Sequence, residues 1–141
     1  AQLGARRGVA FAVLVTMISN FILGDGIWTI YQATGWSIVA IIGAQSKLII
    51  DNKLRLGKLC FLGIISAFLF DFIVSLSIIG TVNTGEFIDY LINGIPYDVV
   101  HALGNVTMAA WFGIWFSSVI TQHQSMEEIE QTVVDGYVIE S

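Results

Sequence analysis

The chain has 141 residues, of which 55% are hydrophobic and 12% are charged, and its formal net charge is −5 at pH 7. A soluble domain normally carries about twice this share of charged residues, so the mean hydropathy of +0.78 indicates an integral membrane protein. The sequence contains no basic patch with interleaved aromatic residues, which argues against a nucleic-acid-binding protein. Cys60 is the only cysteine, so no internal disulfide can form.

Long apolar segments separated by short polar ones predict an all-α bundle that crosses the membrane several times. We predict four spans, at residues 8–23, 28–45, 58–80 and 96–120. They form a transmembrane domain over residues 1–122, and an acidic tail follows over residues 123–141. Pro96 is the only proline, and we expect it in the first turn of the fourth span, where its missing N–H is not needed.

The basic residues predict the orientation of the chain. All six lysines and arginines lie either near the N-terminus or in the loop at residues 47–58, and two spans separate these regions. By the positive-inside rule both regions are cytoplasmic, and so are both ends of the chain. The loops at residues 24–32 and 81–94 then face the outside of the cell membrane.

The tail differs in character from the rest of the chain. Asp135 and Gly136 lie between β-prone residues, and this pattern predicts a β-hairpin over residues 132–139. A lone hairpin has marginal stability in water. We therefore expect the tail either to be loosely ordered or to lead into a further domain.

Small residues recur at four-residue spacing within the predicted spans. The pairs are Ala40 with Ala44, Gly63 with Ala67, and Ala109 with Gly113. Such spacing lets the backbones of neighbouring helices approach closely. We predict that these pairs serve packing inside the bundle.

The candidate functional residues lie mainly at the start of the fourth span. Asp98, His101 and Asn105 follow one another at i, i+3 and i+7, so they form one stripe of a helix. Asp71 lies in the third span, from which it can face them. Ionisable groups are costly inside a bilayer and usually face a protein interior or a cavity.

Three interpretations of this polar stripe remain open. Asp71, Asp98 and His101 together are a carboxylate and imidazole set that can bind a metal ion, although a single histidine is a poor metal signature. The same groups can instead satisfy each other by hydrogen bonds between helices. In the third interpretation they line a ligand pocket. Since Asn20 and Gln32 also lie near the outer ends of their helices, we expect such a pocket to open to the exterior.

The sequence contains no nucleotide-hydrolysis signature. Gly57 and Lys58 lack the upstream glycine of a phosphate-binding loop, and Leu59 stands where a serine or threonine is needed. Uphill transport would therefore require energy from a partner or from an ion gradient. We expect no cofactor and no enzymatic activity, and the alternative is an intramembrane metal-dependent enzyme or a structural subunit.

Two stretches resemble the membrane substrate-binding (S) components of energy-coupling factor transporters. Residues 19–32 are similar to a family pattern that runs Ser-Asn-Phe, aromatics, Gly-x-Gly-Pro-Trp-Thr-Pro-x-Gln. Residues 95–105 are similar to the later family segment Pro-Phe-Asp-x-x-His-Ala-x-Gly-Asn. The two matches occur in the family's order, and together they cover the chain from about residue 7 to residue 116.

The resemblance implies a subunit that captures a vitamin or similar micronutrient on the outer side of the membrane, with the cobalamin group as the most similar branch. It also implies docking on a transmembrane coupling protein that two cytoplasmic ATPase subunits drive. Family members have six helices, so four predicted spans suggest a fragment without the N-terminal helices. Ile27 and Ile30 replace the two prolines of the first motif, so the outward loop can differ in shape.

The resemblance also supplies candidate substrate-binding residues. They are Asn20, Trp28, Thr29, Gln32, Asp98, His101 and Asn105. Trp28 would stack on a flat ligand, and Gln32, His101 and Asn105 would form hydrogen bonds to it. Asp98 would either orient His101 or cap the start of its helix, where the helix dipole favours a negative charge.

Overall fold

The computed structural model describes residues 4–50 and 53–139, and these residues are almost entirely helical. The elements in chain order are α1 (Gly4–Leu23), α2 (Trp28–Gln45), β1 (Ile49–Ile50), β2 (Lys53–Leu54), α3 (Leu56–Ser75), a 3-10 turn (Leu76–Ile78) and α4 (Thr84–Ile139). The predicted all-α fold class is thus confirmed.

Three segments of the described chain are long and apolar enough to cross a membrane. They are Gly4–Leu23, Leu56–Ile78 and Thr84–Val119. The second predicted span does form a helix, α2, but this helix is not among the three. Its first half carries polar side chains, including Thr29 and Gln32, and these lower its overall apolarity. The molecule is a membrane protein in which α2 packs between two of these candidate spans, α1 and α3.

The first three helices lie side by side and antiparallel. Gly8 near the start of α1 faces Ala40 near the end of α2, so closely that a Cβ atom on Gly8 would lie 3.4 Å from the Ala40 Cβ. Farther along, Gly35 of α2 faces the ring of Phe70 in α3. Ala40 and Gly63, each from one of the predicted small-residue pairs, lie where neighbouring helices approach each other closely.

Helix α4 packs antiparallel against α3. Asn105 of α4 lies against Gly63, and His101 pairs with Asp71. The 3-10 turn ends at Ile78, which is as many residues after Asp71 as Gly94 is before His101. Since both helices rise by about 1.5 Å per residue, the end of the turn is level with Gly94. The first turns of α4 therefore extend beyond the end of α3.

Helix α4 begins earlier than the sequence analysis predicted. The Asn83 side-chain oxygen accepts the N–H of Glu86 at 3.0 Å, and the Glu86 carboxylate accepts the N–H of Asn83 at 3.0 Å. This reciprocal capping box satisfies two N–H groups and starts the helix at Thr84. The predicted loop over residues 81–94 is therefore wrong, because most of it is helical.

The predicted position of Pro96 in a first turn is also wrong, since Pro96 lies inside α4. A proline within a helix has no N–H to donate to the carbonyl four residues earlier. The carbonyl of Ile92 consequently lacks its usual helical partner.

The end of the chain also differs from the prediction. Residues 132–139 belong to α4 and are helical, so the predicted hairpin is wrong. Adding a turn to an existing helix requires no new nucleus, whereas an isolated hairpin is marginal in water. Of the predicted acidic tail, Glu140 and Ser141 lie outside the described residues.

The helices lie side by side in a row, and the basic residues lie at one end of it. At this end a short β-hairpin joins α2 to α3. Ile49 pairs with Leu54 and Ile50 pairs with Lys53 in an antiparallel register. The Lys58 ammonium group donates a hydrogen bond to the carbonyl of Ser46, which ties the start of α3 to the end of α2. We call this end of the molecule the basic end.

Candidate functional site

Two clusters of polar residues lie at the opposite end of the row. One is held by α1 and α2, and the other is held by α3 and α4. The first group is the hairpin network, which consists of Asn20, Thr29 and Gln32 where α1 turns into α2. The second group, Asp71, Asp98 and His101, lines a cavity between α3 and the first half of α4. We call this end the cavity end.

The polar atoms of the hairpin network bond to one another. The Asn20 side-chain amide donates to Gln32 Oε1 at 2.6 Å and to Thr29 Oγ1 at 3.0 Å. Thr29 Oγ1 also accepts the N–H of Gly26 at 3.3 Å. Asn20 is only 7% exposed, so both N–H bonds of its amide are used inside the protein. The network clamps the α1–α2 turn.

Two glycines shape this turn. Gly24 has a φ of +107°, and its N–H donates to the Asn20 carbonyl at 2.8 Å, which closes the end of α1. The Trp28 indole folds over Gly26 so closely that a Cβ atom at Gly26 would overlap the ring. Trp28 is 43% exposed, so one part of the ring covers the turn while the rest stays accessible.

The cavity between α3 and α4 has a volume of about 730 Å³. This volume is in the range of roughly 300–1,000 Å³ that is typical of small-molecule sites. Most of its lining is apolar, and a few polar side chains converge within it. The lining residues are Phe68, Asp71, Phe72, Val74, Ser75, Tyr90, Leu91, Ile92, Asn93, Gly94, Ile95, Tyr97, Asp98 and His101.

An Asp–His pair joins the two walls of the cavity. His101 Nδ1 lies 2.9 Å from Asp71 Oδ2 and 3.1 Å from Asp71 Oδ1. An ionised carboxylate only accepts hydrogen bonds, so Asp71 fixes the proton of a neutral His101 on Nδ1. The other ring nitrogen, Nε2, is then a hydrogen-bond acceptor. Both side chains are partly accessible, at 29% for His101 and 23% for Asp71.

Asp98 lies one turn before His101 on the same face of α4. Its carboxylate folds back over Gly94, since Asp98 Oδ1 is 4.0 Å from the position of a Cβ atom on Gly94. Its charge lies within interaction range of both Asp71 and His101. The helix begins at Thr84, so Asp98 does not cap its start, and Asp71 is the carboxylate bonded to the imidazole.

A cluster of aromatic rings supports the imidazole from the side of α2. The rings of Trp36 and Phe70 have centroids 4.4 Å apart, and the ring of Phe70 meets that of His101 edge-on at 5.9 Å. Phe70 fits against Gly35, where a Cβ atom would lie 2.8 Å from Phe70 Cδ2. Gly35 therefore determines where the Phe70 ring lies, and that ring restricts the orientation of His101.

Asn105 serves helix packing. Its side-chain amide donates to the carbonyl of Gly63 at 3.1 Å, so it links α4 to α3 deeper in the row than the cavity. Asn105 is not among the residues that line the cavity.

Positive charge in the described chain is confined to one end of the row, whereas acidic residues also occur in the C-terminal half of α4, at Glu127, Glu128 and Glu130. The cavity lining contains two carboxylates and one imidazole, and neither lysine nor arginine is among its residues. Asp25, Glu86 and Asp89 also lie at this end, and the basic residues of the described chain lie at the other end. The electrostatic potential of the protein is therefore negative at the cavity end.

The predicted site residues do not form one site, because the structure divides most of them between the cavity and the hairpin network. Asp98 and His101 meet at the cavity, while Asn20, Thr29 and Gln32 meet in the hairpin network. Neither those three residues nor Trp28 nor Asn105 belongs to the cavity lining.

Sequence reasoning missed several polar and aromatic lining residues, among them Tyr90, Asn93 and Tyr97. Tyr90 and Asn93 lie in the segment predicted to be a loop, and Tyr97 lies at the start of the predicted fourth span. The signal that would have found them is the capping pattern of Asn83 and Glu86, which starts α4 one turn or more before them.

The metal interpretation receives no support from the geometry. Within residues 4–50 and 53–119, no three histidine, cysteine, aspartate or glutamate side chains are grouped so that they could hold a metal ion.

Comparisons of the chain with protein-family models, curated proteins and solved structures found no match. Its function is therefore inferred from the site itself and from the two motifs at residues 19–32 and 95–105.

Proposed function

We propose that this protein is the substrate-capture subunit of an ATP-driven micronutrient uptake transporter of the energy-coupling factor type. The observation that carries the proposal is the cavity of about 730 Å³ between α3 and α4. Asp98 and His101, which come from the second family-like motif, both line it. The protein binds its ligand from outside and then closes or reorients while it is docked on its partners.

The chemistry of the cavity suits recognition of a small organic molecule. Its apolar walls can bury the body of the ligand, and a few polar groups can fix its orientation. Asp71 holds His101 in one tautomer and one orientation, so the acceptor Nε2 is ready before the ligand arrives. No covalent chemistry is needed for such a role.

The position of the cavity supports capture from outside. The cavity lies at the end of the row opposite the basic residues, and the positive-inside rule assigns the basic end to the cytoplasm. A ligand would then enter from the extracellular face. The hairpin network lies at the same end, where it fixes the α1–α2 turn.

Partners supply the energy in this proposal. The sequence has no phosphate-binding loop, so ATP hydrolysis is assigned to two cytoplasmic ATPase subunits that act through a transmembrane coupling protein. The resemblance also points to corrinoids as a ligand class. A corrinoid is larger than the drug-sized ligands that such a volume encloses, so it would project from the cavity.

Mass spectrometry of small molecules retained by the purified, membrane-extracted protein tests the proposal. We expect one organic molecule in near-stoichiometric amount, and we expect its loss in His101→Ala. A matched control is His123→Ala, because His123 lies far along α4 from the cavity. An equal loss of the retained molecule in both variants, or a protein that retains and binds no organic molecule, would contradict the capture role.

The second candidate function is that of a structural membrane subunit. Two polar residues favour it, because their side chains form hydrogen bonds within the protein. Asn105 bonds to the backbone of α3, and Asn20 is used within the hairpin network. If the Asp71–His101 pair served only the same purpose, His101→Ala would lower stability, and the wild type would show no ligand-dependent stabilisation. Ligand-dependent stabilisation of the wild type would exclude this candidate.

A further inference from the structure

We infer that the α3–α4 cavity selects an organic cation, a small molecule with an ammonium or similar charged nitrogen on an apolar body. The inference rests on the proposed capture function and names the class of substrate. It starts from the charges in the cavity, whose lining contains two carboxylates and neither lysine nor arginine.

The strongest polar groups of the cavity are acceptors. The carboxylate oxygens of Asp71 and Asp98 accept hydrogen bonds, and His101 Nε2 becomes an acceptor because Nδ1–H is directed to Asp71. A ligand that donates hydrogen bonds or carries positive charge satisfies this set.

The charge balance of the cavity agrees with this inventory. With both carboxylates ionised, the cavity is net negative whether His101 is neutral or protonated. Lysine and arginine are missing from its lining, so the protein itself supplies no fixed cation to offset the second carboxylate. The carboxylates of Asp71 and Asp98 lie close enough for their charges to repel each other, and a bound cation offsets that repulsion.

Size and lining favour an organic cation over a bare metal ion. The volume of about 730 Å³ is far larger than one ion needs, and the walls are mainly apolar. Within the described residues no three His, Cys, Asp or Glu side chains form a metal-binding group. Tyr90 and Tyr97 also belong to the lining, and the faces of aromatic rings attract organic cations.

The field outside the cavity favours the same class. Asp25, Glu86 and Asp89 add negative charge around the cavity end, and the basic side chains of the described chain lie at the other end. Such a field raises the local concentration of cations and lowers that of anions. A cationic ligand is thus favoured on approach as well as in the bound state.

Three para-substituted phenols that differ in the charge of the substituent test the inference on the purified protein in lipid nanodiscs. The probes are 4-(trimethylammonio)phenol, its uncharged isostere 4-tert-butylphenol, and the anion 4-hydroxybenzoate. A ligand that binds only the native state raises the thermal unfolding midpoint by mass action. We expect the cation alone to raise it, with at least a tenfold lower affinity in Asp98→Asn and in Asp71→Asn.

The control is Asp89→Asn, which removes an exposed carboxylate at the same end but outside the lining. It should bind the cation within about twofold of the wild type. Asp71→Asn also removes the partner of His101, so a folding defect in that variant leaves Asp98→Asn to decide. Equal stabilisation by the isostere or the anion, or an unchanged affinity for the cation in Asp98→Asn, would overturn the inference.

The retained ligand separates this inference from the capture proposal. A stoichiometric neutral or anionic molecule, lost in His101→Ala, would support capture and refute the cation class. A protein that retains no molecule and responds to none of the three probes would refute both. Stabilisation by sodium or calcium ions alone would replace the organic cation with an inorganic one and so overturn the inference.

Discussion

The hairpin network and the α3–α4 cavity lie at the same end of the molecule and use similar polar residue types, but they differ in where their polar atoms find partners. In the hairpin network, Asn20 uses both amide N–H bonds on Gln32 and Thr29. At the cavity, only one nitrogen of His101 is paired. The hairpin network uses its hydrogen bonds within the protein and so stabilises the turn. The cavity has an acceptor without a partner among the described residues, and this acceptor is available to a ligand.

The first prediction separates the two regions by ligand binding. His101→Ala should abolish retention of the small molecule, because it removes the acceptor that Asp71 orients. Thr29→Val removes a hydroxyl of the hairpin network and should leave retention intact. Mass spectrometry of both purified variants measures this difference, and loss of the ligand in Thr29→Val alone would reverse the assignment of the two regions.

The second prediction concerns stability. Asn20→Ala should lower the free energy of unfolding by about 1–3 kcal/mol, because the Gln32 oxygen loses its donor in a largely buried site. Denaturation in mild detergent measures the loss. Ser19→Ala is the matched control, since the Ser19 hydroxyl bonds only to the carbonyl of Thr16 within α1. A loss of equal size in Ser19→Ala would show that the network contributes little.

The third prediction addresses the contact between α2 and α3, the helices that link the two regions. Gly35→Ala places a methyl group about 2.8 Å from Phe70 Cδ2, so the Phe70 ring must move. We expect a cost of about 1–3 kcal/mol from overpacking, with a change in the fluorescence of Trp36. Gly43→Ala adds the same methyl group to α2 with nothing within 4 Å. It should be neutral or stabilising, and a fluorescence change there would contradict the explanation.

The smallest expected effect belongs to Asn105. Asn105→Ala removes one hydrogen bond between α4 and α3, and such bonds contribute on average about 0.6 kcal/mol in membranes. Thermal unfolding measures this loss, and ligand retention should not change. Loss of the ligand at unchanged stability would return Asn105 to the binding site, as the family resemblance implies.

Much of the fold could be predicted because apolar length and turn residues are local signals. The four helices and the turn at Gly24 and Gly26 follow from them. The start of α4 was missed because its first turns contain Gly85 and Asn93, and because Pro96 looked like a helix start. The capping pair of Asn83 and Glu86 determines the true start.

The site was harder to predict than the fold. The stripe of Asp98 and His101 is a helical pattern, and it was found. Whether a polar residue closes a network or lines a cavity depends on partners in other helices, such as Asp71 for His101 and Gly63 for Asn105. A single sequence without a structure does not contain those distances.

The antiparallel row has a consequence for how the protein folds. The extensive contacts between its described helices join neighbours in the chain, α1 with α2, α2 with α3, and α3 with α4. Contacts between sequence neighbours have a low contact order and form quickly. Each helix can therefore dock on its predecessor as it leaves the ribosome, and the cavity forms only when α4 reaches α3.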